Sequence, residues 1–198
     1  EMQVKFGLAL LATGDYAPAR EAALQALSKR PGDEQALSLL ADTARSPEEI
    51  EDIRKTIEDF RKNDQDRPSY HLALGSLNLR KGEKARAETE FKRALELDPK
   101  SGMPLVALAT LYWSNNDLKA ADQAFKTAAD LAPIDSPIRM RYVDFMLRTG
   151  AAAEAKAMLE DINKKLPDYL PPRVALLKIA CAEPQKEDCA ARVQNILA

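Results

Sequence analysis

The 198-residue chain is poor in the residues from which most catalytic centres are built. One histidine and two cysteines leave little with which to assemble a metal site. Seven glycines leave little for phosphate-cradling loops. No G-x-x-x-x-G-K-[ST], H-E-x-x-H or G-x-S-x-G run occurs, so the motifs that place a phosphate, a zinc ion or a nucleophilic serine are missing. No uninterrupted apolar stretch approaches the ~20 residues that cross a bilayer, and direct membrane insertion is not expected. Excess charge is lacking as well. Lys+Arg total 29 against 31 Asp+Glu, a net charge of -2, whereas a dedicated nucleic-acid binder carries a large basic excess. What is present is 45% apolar and 30% charged residues, enough to bury a core and too apolar for a disordered chain.

The strongest positive signal is self-similarity with a period of 34 residues. Gly7, Ala41, Gly75, Ala109, Val143 and Leu177 stand 34 apart. Twelve residues after each come Ala19, Ile53, Ala87, Ala121, Ala155 and Cys189. The columns Ala23, Ile57, Phe91, Phe125, Leu159, Val193 and Ala26, Phe60, Ala94, Ala128, Ile162, Ile196 keep the same register. Pro31, Pro99, Pro133 and Pro167 close four of the units. Each unit reads as two helices. In the fourth, Leu105, Leu108, Ala109 and Tyr112 line one helical face. Ser114-Asn115-Asn116-Asp117 breaks the pattern. Leu118, Ala121, Phe125 and Ala128 then form a second face, which Pro133 stops. Small residues at the facing columns let the paired helices approach closely, and large ones such as Phe91 and Phe125 fill the space between units. No segment shows strand alternation. The expected fold is all-α.

These columns resemble the tetratricopeptide repeat (TPR) family, whose motif is W-x2-L-G-x2-Y, then A-x3-F, then P. The motif stands here as Gln3-x2-Phe6-Gly7-x2-Leu10 with Ala19 and Pro31. It returns as His71-x2-Leu74-Gly75-x2-Asn78 with Ala87, Phe91 and Pro99, and as Leu105-x2-Leu108-Ala109-x2-Tyr112 with Ala121, Phe125 and Pro133. The resemblance covers essentially the whole chain. It implies an α-solenoid: one right-handed superhelical domain over 1–198, of about six antiparallel helix pairs near 1–33, 34–67, 68–101, 102–135, 136–169 and 170–198. Two units depart from the motif. In the second, Ile53 replaces the small residue, and Ser46-Pro47-Glu48-Glu49 reads as a capped helix start. That helix is expected to run to about Lys62, with 63–67 a polar link at a looser or differently angled junction. The sixth has Leu177 and Cys189 facing one another and Pro184 in its turn, so its hairpin is expected to be splayed.

By resemblance, the inner, concave face is lined by the first helix of each unit. That places Leu72, Ser76 and Arg80 of the third unit on it, with Val106, Thr110 and Trp113 of the fourth, Met140, Arg141, Asp144 and Arg148 of the fifth, and Lys178 of the sixth. One TPR class grips a peptide's C-terminal carboxylate with lysine, asparagine and arginine at fixed inner positions. The matching positions here are Leu72/Ser76, Val106/Thr110 and Met140/Asp144, so that clamp is missing. An apolar strip with a basic edge remains, suited to a protein or peptide segment with apolar anchors and acidic flanks. Trp113, the sole tryptophan, is either a binding hot spot or an inter-unit packing residue. His71 is expected to be a packing residue. No catalytic residue, metal or cofactor is expected.

The resemblance implies a protein-interaction module that scaffolds a complex by binding a partner segment on its concave face. The alternative is a structural spacer in a bacterial envelope, secretion or polysaccharide-export assembly. Alanine-rich arrays of this kind associate with such systems, which places the chain in the periplasm or cell envelope, with the cytoplasm as the alternative. Cys181 and Cys189 bear on this. In a regular hairpin an axial offset of about 6 Å and a helix separation of about 8 Å put their Cα atoms roughly 10 Å apart. Bridging needs less than about 7 Å. A hairpin loosened at Pro184 would close the gap, so a disulfide and two buried thiols both stand open. The apolar runs at 6–12 and 193–198 lead us to expect a piece of a longer array.

Overall fold

The computed structural model describes residues 2–182, which form eleven helices and, among the described residues, no strand. In chain order these are α1 (Met2–Thr13), α2 (Tyr16–Lys29), α3 (Glu34–Asp42), α4 (Pro47–Lys62), α5 (Pro68–Arg80) and α6 (Lys84–Leu97). They continue as α7 (Gly102–Ser114), α8 (Leu118–Leu131), α9 (Pro137–Arg148), α10 (Ala152–Lys165) and α11 (Leu170–Ala182). The fold is an all-α solenoid of successive helix pairs, one pair per 34-residue unit. The second half of the sixth unit, with Pro184 and Cys189, lies outside the described residues. Residues up to Leu111 make one compact unit and those from Tyr112 a second.

The turn within each pair repeats as faithfully as the helices. Gly14, Gly82, Asn116 and Gly150 occupy one column and all have positive φ, 87, 82, 60 and 90° respectively. Each sits one residue before an amide that reaches back five positions: Asp15 N–H to Leu10 O at 2.9 Å, Glu83 N–H to Asn78 O at 2.8 Å, Asp117 N–H to Tyr112 O and Ala151 N–H to Met146 O, both at 2.9 Å. This left-handed cap satisfies carbonyls that the helix end would orphan, and only glycine or asparagine adopts it cheaply. The second 34-residue repeat has Glu48 at this column, inside α4. Its helix pair is joined differently. Ser46 Oγ accepts from Glu49 N–H at 3.2 Å and Glu49 Oε2 accepts from Arg45 N–H at 2.6 Å, with Pro47 in the first turn. The capped start and the end at Lys62 agree with the sequence reading.

Inside the first unit, the packing follows the small-residue columns. A Cβ on Gly7 would lie 3.1 Å from Ala22 Cβ and 2.5 Å from Leu39 Cδ2, so α1 rests directly on α2 and α3. A Cβ on Gly75 would lie 2.3 Å from Cε1 of Phe91. The Phe91 ring therefore fills the space a side chain would take, and α5 and α6 close tightly. Where Ile53 replaces alanine, α3 and α4 are the least closely apposed pair of this unit. First helices are covered by the second helix of the preceding pair: α2 packs on α3 and α4 on α5 in the first unit, α8 on α9 and α10 on α11 in the second.

The link after α4 is tied down on both sides, which a loose junction would not be. Arg67 Nε donates to Asp64 at 2.9 Å, Tyr70 Oη donates to the same carboxylate at 3.0 Å, and Ser69 Oγ donates to Gly32 O at 2.9 Å. The Arg67 guanidinium, followed by the Gln65 backbone N–H and the Tyr70 hydroxyl, holds the Asp64 carboxyl down at about 2. Polar residues in the link were visible in the sequence; that they pair with one another was not.

Gly75 and Phe91 should behave as one packing unit. Phe91→Ala is expected to cost about 3–5 kcal/mol and Gly75→Ala, by overpacking, about 1–3 kcal/mol. The double variant should cost clearly less than the sum, because the alanine methyl then occupies part of the vacated ring space. Denaturant unfolding of the three variants measures the coupling.

Candidate functional site

The second unit carries an aromatic cluster built from three consecutive helices. Trp113 ends α7, Phe125 lies on α8, and Tyr142 and Phe145 lie on α9. The Trp113 ring meets Phe145 edge-on at 5.3 Å and Phe125 at 6.5 Å. Phe125 and Phe145 are 5.1 Å apart. Tyr142 stacks beside Phe125 and donates its hydroxyl to Asp122 at 2.9 Å. Burial and that carboxylate push the Tyr142 phenol up to about 12, so it stays a neutral donor. Trp113 is half-buried. It serves packing with one edge and keeps the rest near the surface, so the two readings of this residue are not exclusive.

Arg148 completes the arrangement. Its guanidinium lies 5.9 Å from the Trp113 ring centroid and pairs with Asp144 at 3.0 Å. Arg141, Asp144 and Arg148 fall on one face of α9 and all three are exposed. Asp144 neutralises one arginine, so this face keeps a net positive charge beside Trp113. Met140 is half-buried next to it in sequence, and Lys178 is exposed on α11. Six of the eleven expected contact residues thus belong to the second unit, and Trp113, Asp144 and Arg148 touch in a chain.

In the first unit the expected residues fare differently. Leu72 and Ser76 are half-buried on α5, and Ser76 Oγ donates to Leu72 O within its own helix. Val106 is 2% exposed and offers a partner no surface. Thr110 is exposed, with its hydroxyl bonded to Val106 O. Arg80 points its guanidinium at the end of α3, donating to Ala41 O at 2.8 Å and to Ala44 O. Its charge is engaged in capping a helix C-terminus, where cations are favoured. Arg20 does the same from α2, donating to Thr43 O at 3.2 Å while pairing with Glu49 at 2.9 Å.

One cluster escaped the sequence reading. His71 is 4% exposed, and each ring nitrogen faces a carboxylate: Nδ1 lies 2.6 Å from Glu90 and Nε2 2.8 Å from Asp66. Arg93 pairs with Asp66 from the outside at 3.1 Å. Burial pulls the imidazole pKa down, but the hydrogen bonds to the Glu90 and Asp66 carboxylates outweigh it and leave it raised above 6.5. The two carboxylates sit on opposite nitrogens, so the ring cannot bring both to one ion. Indeed no group of three such ligands among the described residues is arranged to hold a metal. Glu90 is 19 residues from His71, a separation no short motif reports.

A cleft of about 390 Å³ is lined by Arg30, Pro31, Gly32, Asp33, Asp64 and Arg67, but Arg30 pairs with Asp33 at 2.8 Å and Arg67 with Asp64 at 2.9 Å. No helix among the described residues is long and apolar enough to cross a membrane.

Sequence models described as tetratricopeptide repeat match residues 4–52, 53–102 and 113–179, most of the chain. The chain belongs to the tetratricopeptide repeat family. Solved TPR structures share its fold. A thermophilic TPR protein of Thermus thermophilus superposes with a TM-score of 0.64 at 21% identity, over 89% of this chain and 96% of that one. The C-terminal part of a TPR repeat-containing protein of Cytophaga hutchinsonii gives 0.63 at 11% identity over 98% and 78%. A TPR protein of Parabacteroides merdae gives 0.57 at 14% identity over 100% and 78%. No curated protein matches the chain. TPR folds generally mediate protein–protein interaction and are generally non-catalytic, and TPR proteins bind peptide or protein partners.

The His71 cluster makes this TPR protein's stability depend on pH. A folded-state pKa raised above 6.5 means stabilisation fully present below the unfolded value and lost as pH rises through the folded one. Asp66, whose pKa is lowered from 3.8 despite its burial, adds stability above that value which is lost in acid. The stability advantage of wild type over Glu90→Gln should therefore be largest in mild acid and shrink in alkali. Because His71 is the sole histidine, one imidazole proton resonance reports its titration. The midpoint should lie above 6.5 in wild type and fall in Glu90→Gln.

Proposed function

We propose that this TPR protein is a scaffolding module whose first-helix face in the second unit takes a partner segment carrying an apolar anchor and acidic flanks. One observation carries the reading: Trp113 is held edge-on by two phenylalanines, with Arg148 over its ring and Arg141 exposed on the same helix. A rigid, partly exposed tryptophan is a favoured anchor at interfaces. The arginines supply charge complementarity for acidic flanks, which steers association and fixes register. Arg80 and Val106, engaged in capping and packing, do not take part.

The working compartment in this reading is the periplasm or cell envelope. Cys181 is disulfide-bonded, and disulfides persist in oxidising compartments; Cys189 lies outside the described residues. The alternative role, a structural spacer in an envelope, secretion or polysaccharide-export assembly, draws on the exposed apolar face of α1. A spacer makes lateral contacts only and has no ligand on α9.

Affinity capture with the intact chain, read by mass spectrometry, separates the two. A partner retained by wild type should lose several-fold in affinity with Arg141→Glu plus Arg148→Glu, and its binding should weaken with added salt as exposed charges are screened. Trp113→Ala should cost about 2 kcal/mol, with helicity by circular dichroism unchanged. If the captured partner binds both variants as well as wild type, α9 is not the site.

A further inference from the structure

The Arg148 guanidinium is held at one corner and open at the other. Arg54 and Arg67 set Nε and a terminal nitrogen on one carboxylate, and Arg80 uses both terminal nitrogens on the carbonyls that end α3. Arg148 meets Asp144 through Nε alone, 3.1 Å from Oδ1 and 3.0 Å from Oδ2. Its two terminal nitrogens have no hydrogen-bond partner among the described residues. Asp144 lies one turn earlier on α9, the spacing and order that suit an ion pair on a helix. The Trp113 ring centroid lies 5.9 Å from the guanidinium carbon, within reach of a cation–π contact. Arg141, exposed on the same face, has no ion pair or ring contact to restrain it among the described residues. Two arginines of one stripe thus differ: one is held in place, the other is not.

We propose that Asp144 is a positioning residue: it sets Arg148 beside Trp113 so that Nη1 and Nη2 grip a carboxylate next to the partner's apolar anchor. The inference rests on the reading of α9 as the partner-binding face and specifies what that face selects. A free surface arginine has rotamer freedom to lose on binding, and a restrained one has already lost part of it. Nη1 and Nη2 present two parallel N–H bonds, which a carboxylate matches with both of its oxygens. Adjacent residues of a peptide have Cα atoms about 3.8 Å apart. An aspartate or glutamate beside the anchor therefore reaches the guanidinium while the anchor rests on Trp113. Arg141 stands roughly 10 Å away along the helix axis and cannot share that carboxylate. A phosphate fits the fork in shape, but Asp144 beside Nε repels a dianion more strongly than a single charge. The preference is for an acidic side chain.

The test is an NMR titration of the intact chain with two blocked tetrapeptides, Ser-Glu-Phe-Ser and Ser-Phe-Glu-Ser, up to about 10 mM, a range that spans weak association. The indole N–H resonance of Trp113, the sole tryptophan, reports binding. Arg148 and Asp144 are exposed, so their variants should keep the fold by circular dichroism. The expected result is saturable binding of at least one peptide, weakened at least about threefold by Arg148→Lys, which keeps the charge and loses the fork. Asp144→Ala should weaken it about twofold or more, although the face then becomes more positive. Asp144→Asn, which keeps an acceptor for Nε, should restore most of that loss. In an Arg148→Gln background Asp144→Ala should no longer weaken binding, because its effect runs through Arg148. Tighter binding by Asp144→Ala overturns the proposal: Asp144 then competes with the ligand for Arg148, and the α9 reading stands. Equal binding by Arg148→Lys overturns it too, as does tighter binding of a peptide with phosphoserine in place of glutamate. Peptides that do not bind wild type, or that bind Trp113→Ala and Arg148→Glu as tightly, overturn the α9 reading and this proposal with it.

Discussion

Everything in this molecule depends on one constraint: a pair of helices cannot bury both of its faces by itself. Each first helix has one side against its own partner and another that only a neighbouring unit can cover. The repeat columns encode both contacts. Small residues such as Gly7 and Gly75 let the partner approach, and Phe91 or Phe125 fills what the approach leaves open. Stability is then a chain of nearest-neighbour interfaces rather than a central core. The exposed residues of α1 are what such an interface looks like when uncovered.

The same constraint sorts the charges. Ends of short helices are close to neighbouring units, and a buried helix end needs partners for its last carbonyls. Arg20 and Arg80 supply them for α3, and Arg139 does so for the end of α8, donating to Ala132 O at 3.0 Å. These arginines stand on helix surfaces in the sequence and look like any solvated or partner-seeking charge. Only the distance to a carbonyl distinguishes them from Arg141. The basic edge that remains for recognition is accordingly shorter than the column pattern implies, and it lies beside Trp113.

The architecture was legible because the period is 34 residues with no insertion, and because each column has one steric job. The α4 cap and the end of that helix were also legible, since Ser46, Pro47 and Glu49 act locally. The candidate site was legible only in part. Columns assign a residue to a face, and they placed Arg80 and Arg148 alike. What separates the two is a neighbour: the end of α3 in one case, the Trp113 ring in the other. Val106 read as surface because its own helix is apolar nearly all round, which leaves the period without a preferred side. The His71 cluster joins a link, a first helix and a second helix across 5 and 19 residues, and pairwise contacts of that kind leave no trace in a single sequence.

Native-state hydrogen exchange of the dilute chain, resolved along the first unit, tests the nearest-neighbour account most directly. If stability resides in stacking, amides of α3, which has a helix pair on either side, should be the most protected. Those of α1, whose outer face is bare, should exchange measurably faster. Equal protection across α1, α3 and α5, rising and falling together with denaturant, would mean a single cooperative core and would contradict it.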